Sequence, residues 1–161
     1  MFRRIVVGAL VAGAGLCECL PAPMKTFSSS ITIDAPASKI WSILTDGAAY
    51  PSWNPTVVKV EGTIAAGEKI KVFATISPDR AFPVKVAEFV PGERMLWSSG
   101  MPLGLFKGER SFDLRPVDGK IRFEMREVFS GLLSPLIERS IPDLQPAFDE
   151  FAGALKRAAE A

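Results

Sequence analysis

The stretch GERSFDLRPVDGKIRFEMREVFSG, Gly108 to Gly131, holds two runs of alternating residues on either side of an Asp-Gly dipeptide. Asp118-Gly119 between alternating strands favours a two-residue type I′ loop, which pairs Val117 with Lys120. Counting outward, Leu114 meets Phe123, Phe112 meets Met125, and Arg110 meets Glu127. Side chains alternate across a strand, so these pairs share one face, mostly apolar. The other face carries Glu109, Ser111, Asp113 and Arg115 against Arg122, Glu124 and Arg126, and reads as the solvent side. One arginine and one glutamate therefore sit among aromatics on the inner face. Directly opposed Cβ atoms lie roughly 5 Å apart, within reach of a salt bridge.

Working outward, the alternation continues on the N-terminal side. Thr56–Thr63, Glu68–Ser77, Phe82–Val90 and Arg94–Ser99 read as strands, as do Gly108–Pro116 and Lys120–Ser130 in the hairpin itself. They are separated by turn chemistry: AAGE, SPDR, PGER and DG. A further strand is expected over residues 26–34, rich in β-branched residues. Pro36 suits the first turn of a helix, and Ile40, Trp41, Ile43 and Leu44 form its apolar stripe. The helix stops near Asp46-Gly47, and AAYPSWNP is proline-rich enough for only a brief second helix or a turn. After Ser130 the pattern turns helical. Leu144, Phe148, Phe151 and Leu155 recur at a spacing that lays one face across a sheet. The order is strand, two short helices, six strands, long helix. A bent sheet wrapped round such a helix keeps a cavity unless large side chains fill it.

At 161 residues the chain is long enough to bury a real core. It has 19 basic and 18 acidic side chains and no histidine. No basic stripe threaded with aromatics offers itself to nucleic acid, and the commonest general base and zinc ligand is missing. Both cysteines, Cys17 and Cys19, precede the body, so no thiol within it serves as nucleophile or ligand. Neither a metal nor a cofactor is expected.

Residues 1–23 stand apart. Arg3 and Arg4 precede an apolar run, Ile5–Leu16, about 18 Å long as a helix and short for a bilayer. Basic start, short apolar run and small residues resemble a secretory signal, while Leu16 before Cys17 speaks against a lipid-attachment cysteine. Alternatively, Met24 begins MKTFSSSITIDAP, a natural start for the first strand, and the upstream stretch is an over-extended gene start. Residues 24–161 would be the domain in either case. It would be cytoplasmic if translation starts at Met24, and exported or membrane-associated if the signal works.

The element order, with ITIDAPASKIWSILTD, YPSWNP, FKGERSFDL and REVFSGLL in sequence, resembles the START-like superfamily. More narrowly it is similar to the SRPBCC proteins, the polyketide cyclase/dehydrase and lipid-transport group, over roughly Lys25 to Glu160. The resemblance implies an α+β helix-grip fold: a seven-stranded curved antiparallel sheet around a long C-terminal helix, with two short helices after the first strand. It also implies a deep, mainly apolar cavity for a hydrophobic small molecule. Such folds host carriers, cyclases and chaperone activators, so fold alone does not choose among them.

Two readings of Arg110 and Glu127 stay open. Either the pair sits partly wet at the sheet rim and orders the hairpin, or it anchors a ligand inside an apolar pocket. With it, Phe112, Phe123, Met125, Trp97, Phe148 and Phe151 are candidate lining residues. The resemblance puts Tyr50, Trp53 and Asn54 near one end of the cavity; the residues by themselves read as Trp53 plugging the core and Asn54 capping a turn. Met101, Leu105 and Phe106 lie in an apolar loop that is a lid, a membrane-touching entrance, or inward core. Lys69, Lys71 and Lys85 read as a solvated face, while alternation does not settle which way Phe73 and Phe89 point.

The leading expectation is a non-catalytic binding or transport protein for a lipid, quinone or aromatic metabolite. The runner-up is a cyclase or dehydratase in the same cavity, with Arg110 stabilising an enolate and Glu127 as base. A carboxylate held by a guanidinium is a weak base, which counts against it. A third class is an adaptor that binds protein through the apolar loop. No oligomeric state is expected on sequence grounds.

Overall fold

A computed structural model describes residues 25–161. The expectations for the signal-like segment therefore lie outside the described residues. One seven-stranded antiparallel sheet dominates the rest. Its strands are β1 (Thr26–Ile33), β2 (Val57–Glu61), β3 (Lys69–Ala74), β4 (Phe82–Val90), β5 (Arg94–Gly100), β6 (Lys107–Val117) and β7 (Lys120–Ser130). Their order across the sheet is β1-β7-β6-β5-β4-β3-β2. Helices α1 (Ala37–Thr45) and α2 (Tyr50–Trp53) follow β1, and α3 (Ser134–Ile137) and α4 (Gln145–Glu160) close the chain. This is the curved sheet gripping a C-terminal helix that the element order implied. Pro36 stands one residue ahead of α1, in extended backbone, and not within its first turn.

The β6–β7 hairpin has the register that its turn dictates. Asp118 and Gly119 both take positive φ, 51° and 77°, as a type I′ loop demands. Val117 pairs with Lys120, Phe112 with Met125 and Arg110 with Glu127. β1 pairs along the other side of β7, placing Phe27 beside Glu127. β5 pairs along β6, placing Trp97 beside Arg110. A bulge between Val86 and Glu88 in β4 inserts an extra residue. Val86 and Phe89, three apart, are thereby both drawn inward, and Phe89 meets Trp41 of α1 with ring centroids 5.2 Å apart. Alternation could not orient Phe89 because the bulge breaks the period. Phe73 is half-buried beneath the Lys59 ammonium, and Lys69, Lys71 and Lys85 are exposed.

α4 packs on β1 and β7 and against α1. It also covers the free edge of β1. Gln145 Nε2 donates to the Ser28 carbonyl at 2.8 Å and Lys156 Nζ to the Thr32 carbonyl at 2.7 Å. Edge carbonyls that could template another strand are thus taken. The solvent face of the hairpin departs from expectation at one residue: Asp113 is buried, held by Arg94 at 2.6 Å from the neighbouring strand. Burial of a carboxylate is tolerated when a cation accompanies it.

Candidate functional site

One rung of the sheet carries the candidate site. Phe27, Glu127, Arg110, Trp97 and Val86 stand side by side across β1, β7, β6, β5 and β4. Arg110 donates from Nε (3.2 Å) and Nη2 (2.6 Å) to the same oxygen, Oε2 of Glu127. The side chains keep 25% and 13% of their exposure, so the pair is mostly enclosed yet not dry. Phe148 of α4 lies beneath the guanidinium, 4.9 Å from ring centroid to the central carbon, a cation–π contact. Two of the five guanidinium N–H groups go to Glu127, which leaves three.

Aromatic rings flank the pair on both sides. On the deeper side, Phe151 contacts Tyr50, Trp53, Phe112 and Phe123 with centroids 5.4–6.3 Å apart, and Trp97 meets Phe112 at 4.8 Å. On the outer side, Phe27 touches Phe129 and Phe148, and Phe106 stacks on Phe129 at 5.8 Å. Gly108 permits that stack, since a Cβ there would come within 3.2 Å of the Phe129 ring. Side chains therefore occupy the space between sheet and helix, and the deep apolar cavity that the resemblance implied is not open there among the described residues, because the rings interlock. Two hollows lined by described residues, of about 330 and 390 Å³, both open on the surface, one beside Asp34 and Gly119 and the other beside Ser99 and Lys107.

Three buried donors in this interior have no acceptor among the described residues: Trp53 Nε1, Trp97 Nε1 and Asn54 Nδ2. Unsatisfied buried N–H groups are rare and cost about 1–3 kcal/mol each. Asn54 does cap its turn, its Oδ1 accepting from Thr56 N and Oγ1 at 2.9 and 2.8 Å. Trp53 is half-buried and plugs the aromatic cluster.

Of the expected residues, Arg110, Glu127, Phe112, Phe123, Met125, Trp97, Phe148 and Phe151 converge on this inner face or on the helix above it, and Trp53 of α2 packs against Phe151. Met101 is exposed, and Leu105 and Phe106 are half-buried in the β5–β6 loop. The candidate set lacks Phe27 and Phe129, while Tyr50, expected near one end of the cavity, lies fully buried in the aromatic cluster. The hairpin register already placed Phe129 on the inner face, and alternation in β1 did the same for Phe27. Tyr50 gave no periodic signal because it opens a four-residue helix. Among the described residues, no three His, Cys, Asp or Glu side chains converge as a metal site would need.

Tyr50 is fully buried, and its hydroxyl donates to the Leu44 carbonyl at 2.8 Å. Burial pushes that hydroxyl far above the ordinary phenol range, and the Arg110 cation only partly opposes it. The unfolded chain then releases the proton first. Stability from this group is whole below about pH 10 and is lost as the pH climbs beyond it. Tyr50 is the only tyrosine in the chain. Phenolate absorbance in an alkaline titration should accordingly rise together with loss of near-ultraviolet circular dichroism. Phenolate appearing near pH 10 with the fold intact would show that the ring is not enclosed.

Comparison with known proteins places the architecture. Residues 24–160 match the family described as polyketide cyclase / dehydrase and lipid transport. No protein of curated function matches the sequence. Among solved structures, a hypothetical protein from Helicobacter pylori superposes with a TM-score of 0.68 at 10% identity, covering 98% of this chain and 99% of that one. A START superfamily protein from Mycobacterium smegmatis gives 0.60 at 19% identity, over 84% and 97%. The Aha1 dimer from Colwellia psychrerythraea gives 0.63 at 21% identity, over 84% and 96%. At these identities the likeness is one of fold.

Proposed function

This chain belongs to the polyketide cyclase / dehydrase and lipid transport family, and from that premise we propose that it binds and carries a hydrophobic small molecule between the inner sheet face and α4. The guest has an apolar or aromatic body and bears at least one hydrogen-bond acceptor, such as a carbonyl, phenol or carboxylate oxygen. The observation that supports this reading is the polarity of the interior: Arg110 with N–H groups to spare, beside the Trp97 ring whose own N–H lacks an acceptor. The buried Trp97 N–H is left without an acceptor among the described residues, next to a cation. A ligand oxygen would satisfy them, whereas more hydrocarbon would not.

Such a guest enters by parting rings, since side chains already fill the middle. Its apolar area replaces ring contacts, and the guanidinium supplies orientation. Turnover would ask more of the site. Glu127 is the natural base, with Oε2 engaged twice by Arg110 and only Oε1 left over, and the buried Tyr50 hydroxyl, which resists ionisation, offers no second base. The arrangement favours holding over proton transfer.

Native mass spectrometry of full-length protein purified from its own host tests this. The expected spectrum shows an added mass that denaturation releases as an apolar, oxygen-bearing compound. Bare protein that instead converts a polyketide-like substrate, with conversion abolished in Glu127→Gln, would make it a cyclase.

A further inference from the structure

Beyond the outer aromatics lies an apolar rim that ligand binding does not use. Leu103, Leu132 and Leu136 are 95%, 82% and 69% exposed, and Met101 and Leu133 are exposed beside them. They come from two segments, the β5–β6 loop and the stretch that runs from the end of β7 into α3. These are joined where Leu133 N donates to the Leu105 carbonyl at 2.8 Å. Gly131 makes the junction possible, because a Cβ there would lie 2.7 Å from the Leu105 oxygen. No charged residue occurs from Gly100 to Phe106 or from Phe129 to Ile137.

We propose that this pole of the molecule docks on a lipid bilayer, with the leucines of both segments inserted among the acyl chains. Large, contiguous apolar exposure marks an interaction surface. Leu103 adds a sharper point, since it holds a left-handed backbone (φ 59°) at the loop tip while almost wholly exposed. Sterics favour glycine or asparagine there, so leucine at this position carries a local cost without any packing gain within the fold.

The attachment of the rest of the chain argues for a bilayer over a protein groove. Residues 1–24 join the body at Lys25, whose carbonyl accepts from Phe129 N at 3.0 Å and whose Nζ donates to the Ile141 carbonyl at 2.8 Å. Upstream sequence that carries Arg3, Arg4 and the apolar run Ile5–Leu16 therefore meets the body at this same pole. Read as a signal, that basic and apolar stretch would bring this pole to a membrane. The exposed cations Lys107 and Arg139 flank the rim and face anionic headgroups, although Lys107 also pairs with Glu109 at 2.7 Å. Docking of this kind needs no bound ligand.

Full-length protein mixed with vesicles of equimolar phosphatidylcholine and phosphatidylglycerol tests the idea by two readouts. In co-sedimentation, Leu103→Asp with Leu132→Asp should lower the partition coefficient by about tenfold or more. Val117→Asp, at the far tip of the β6–β7 hairpin, should leave it unchanged. In hydrogen exchange, vesicles should slow the amides of residues 101–106 and 131–137. Absent binding, or binding without protection of those amides, overturns the proposal, the latter assigning attachment to other residues. So does a dimer in sedimentation that the leucine variants dissolve, which would give the rim to a second copy. Binding of a soluble aromatic probe to the interior, measured without vesicles, should be the same in all variants.

Discussion

Phe151→Ala should cost about 3–5 kcal/mol of stability, the usual range for emptying a buried phenylalanine site. The expected loss in Tm is roughly 10–20 °C for a domain of this size. Phe151 is 2% exposed and touches four aromatic partners contributed by α2, β6 and β7. Removing it strips ring contacts from helices and sheet together. Rigid rings relax poorly into a void, so much of the cavity should persist. Urea unfolding measures the loss. A cost below about 1 kcal/mol would mean that the cluster closes over the gap, and the close packing described above would then be wrong.

Arg110→Met should separate anchoring from folding. Exchange of a charge-assisted hydrogen bond for a thioether is worth about 1.5–3 kcal/mol of binding, some tenfold to hundredfold in Kd. Two probes of similar shape expose it: 1-anilinonaphthalene-8-sulfonate, an aromatic anion, and N-phenyl-1-naphthylamine, its neutral counterpart. Fluorescence titration should show the anion weakened by that factor and the neutral probe nearly unaffected. Stability should fall only modestly, because the pair retains water contact and partly exposed pairs contribute little net. Glu127→Leu in the same chain should recover that loss, since it removes the carboxylate left unpartnered. Equal weakening of both probes, or a large drop in Tm with unchanged affinity, would return the pair to a purely structural role.

Rim and anchor have different legibility in the chain. Arg110 and Glu127 could be paired by counting from Asp118-Gly119, because turn type sets register and register sets facing. Leu132 and Leu136 could not be joined to Leu103 that way. Their adjacency depends on a hydrogen bond between segments nearly thirty residues apart and on a glycine at Gly131 whose need shows only when the other loop is in place. Asp113 is a similar case: alternation puts it on the outer face, and only Arg94 from the next strand explains its burial.

The amino-acid sequence by itself determined the element order, the antiparallel hairpin with its register, and the inward placement of one ion pair. Each of these follows from short-range rules: side-chain period, turn chemistry and helix spacing. Tertiary structure alone decided how far the hollow between sheet and α4 is filled. It also brought Tyr50 to its centre and assembled the exposed leucines at one pole. Filling depends on how rings from α2, α4 and five strands interlock, and no local pattern encodes the distance between elements that meet only when the sheet bends.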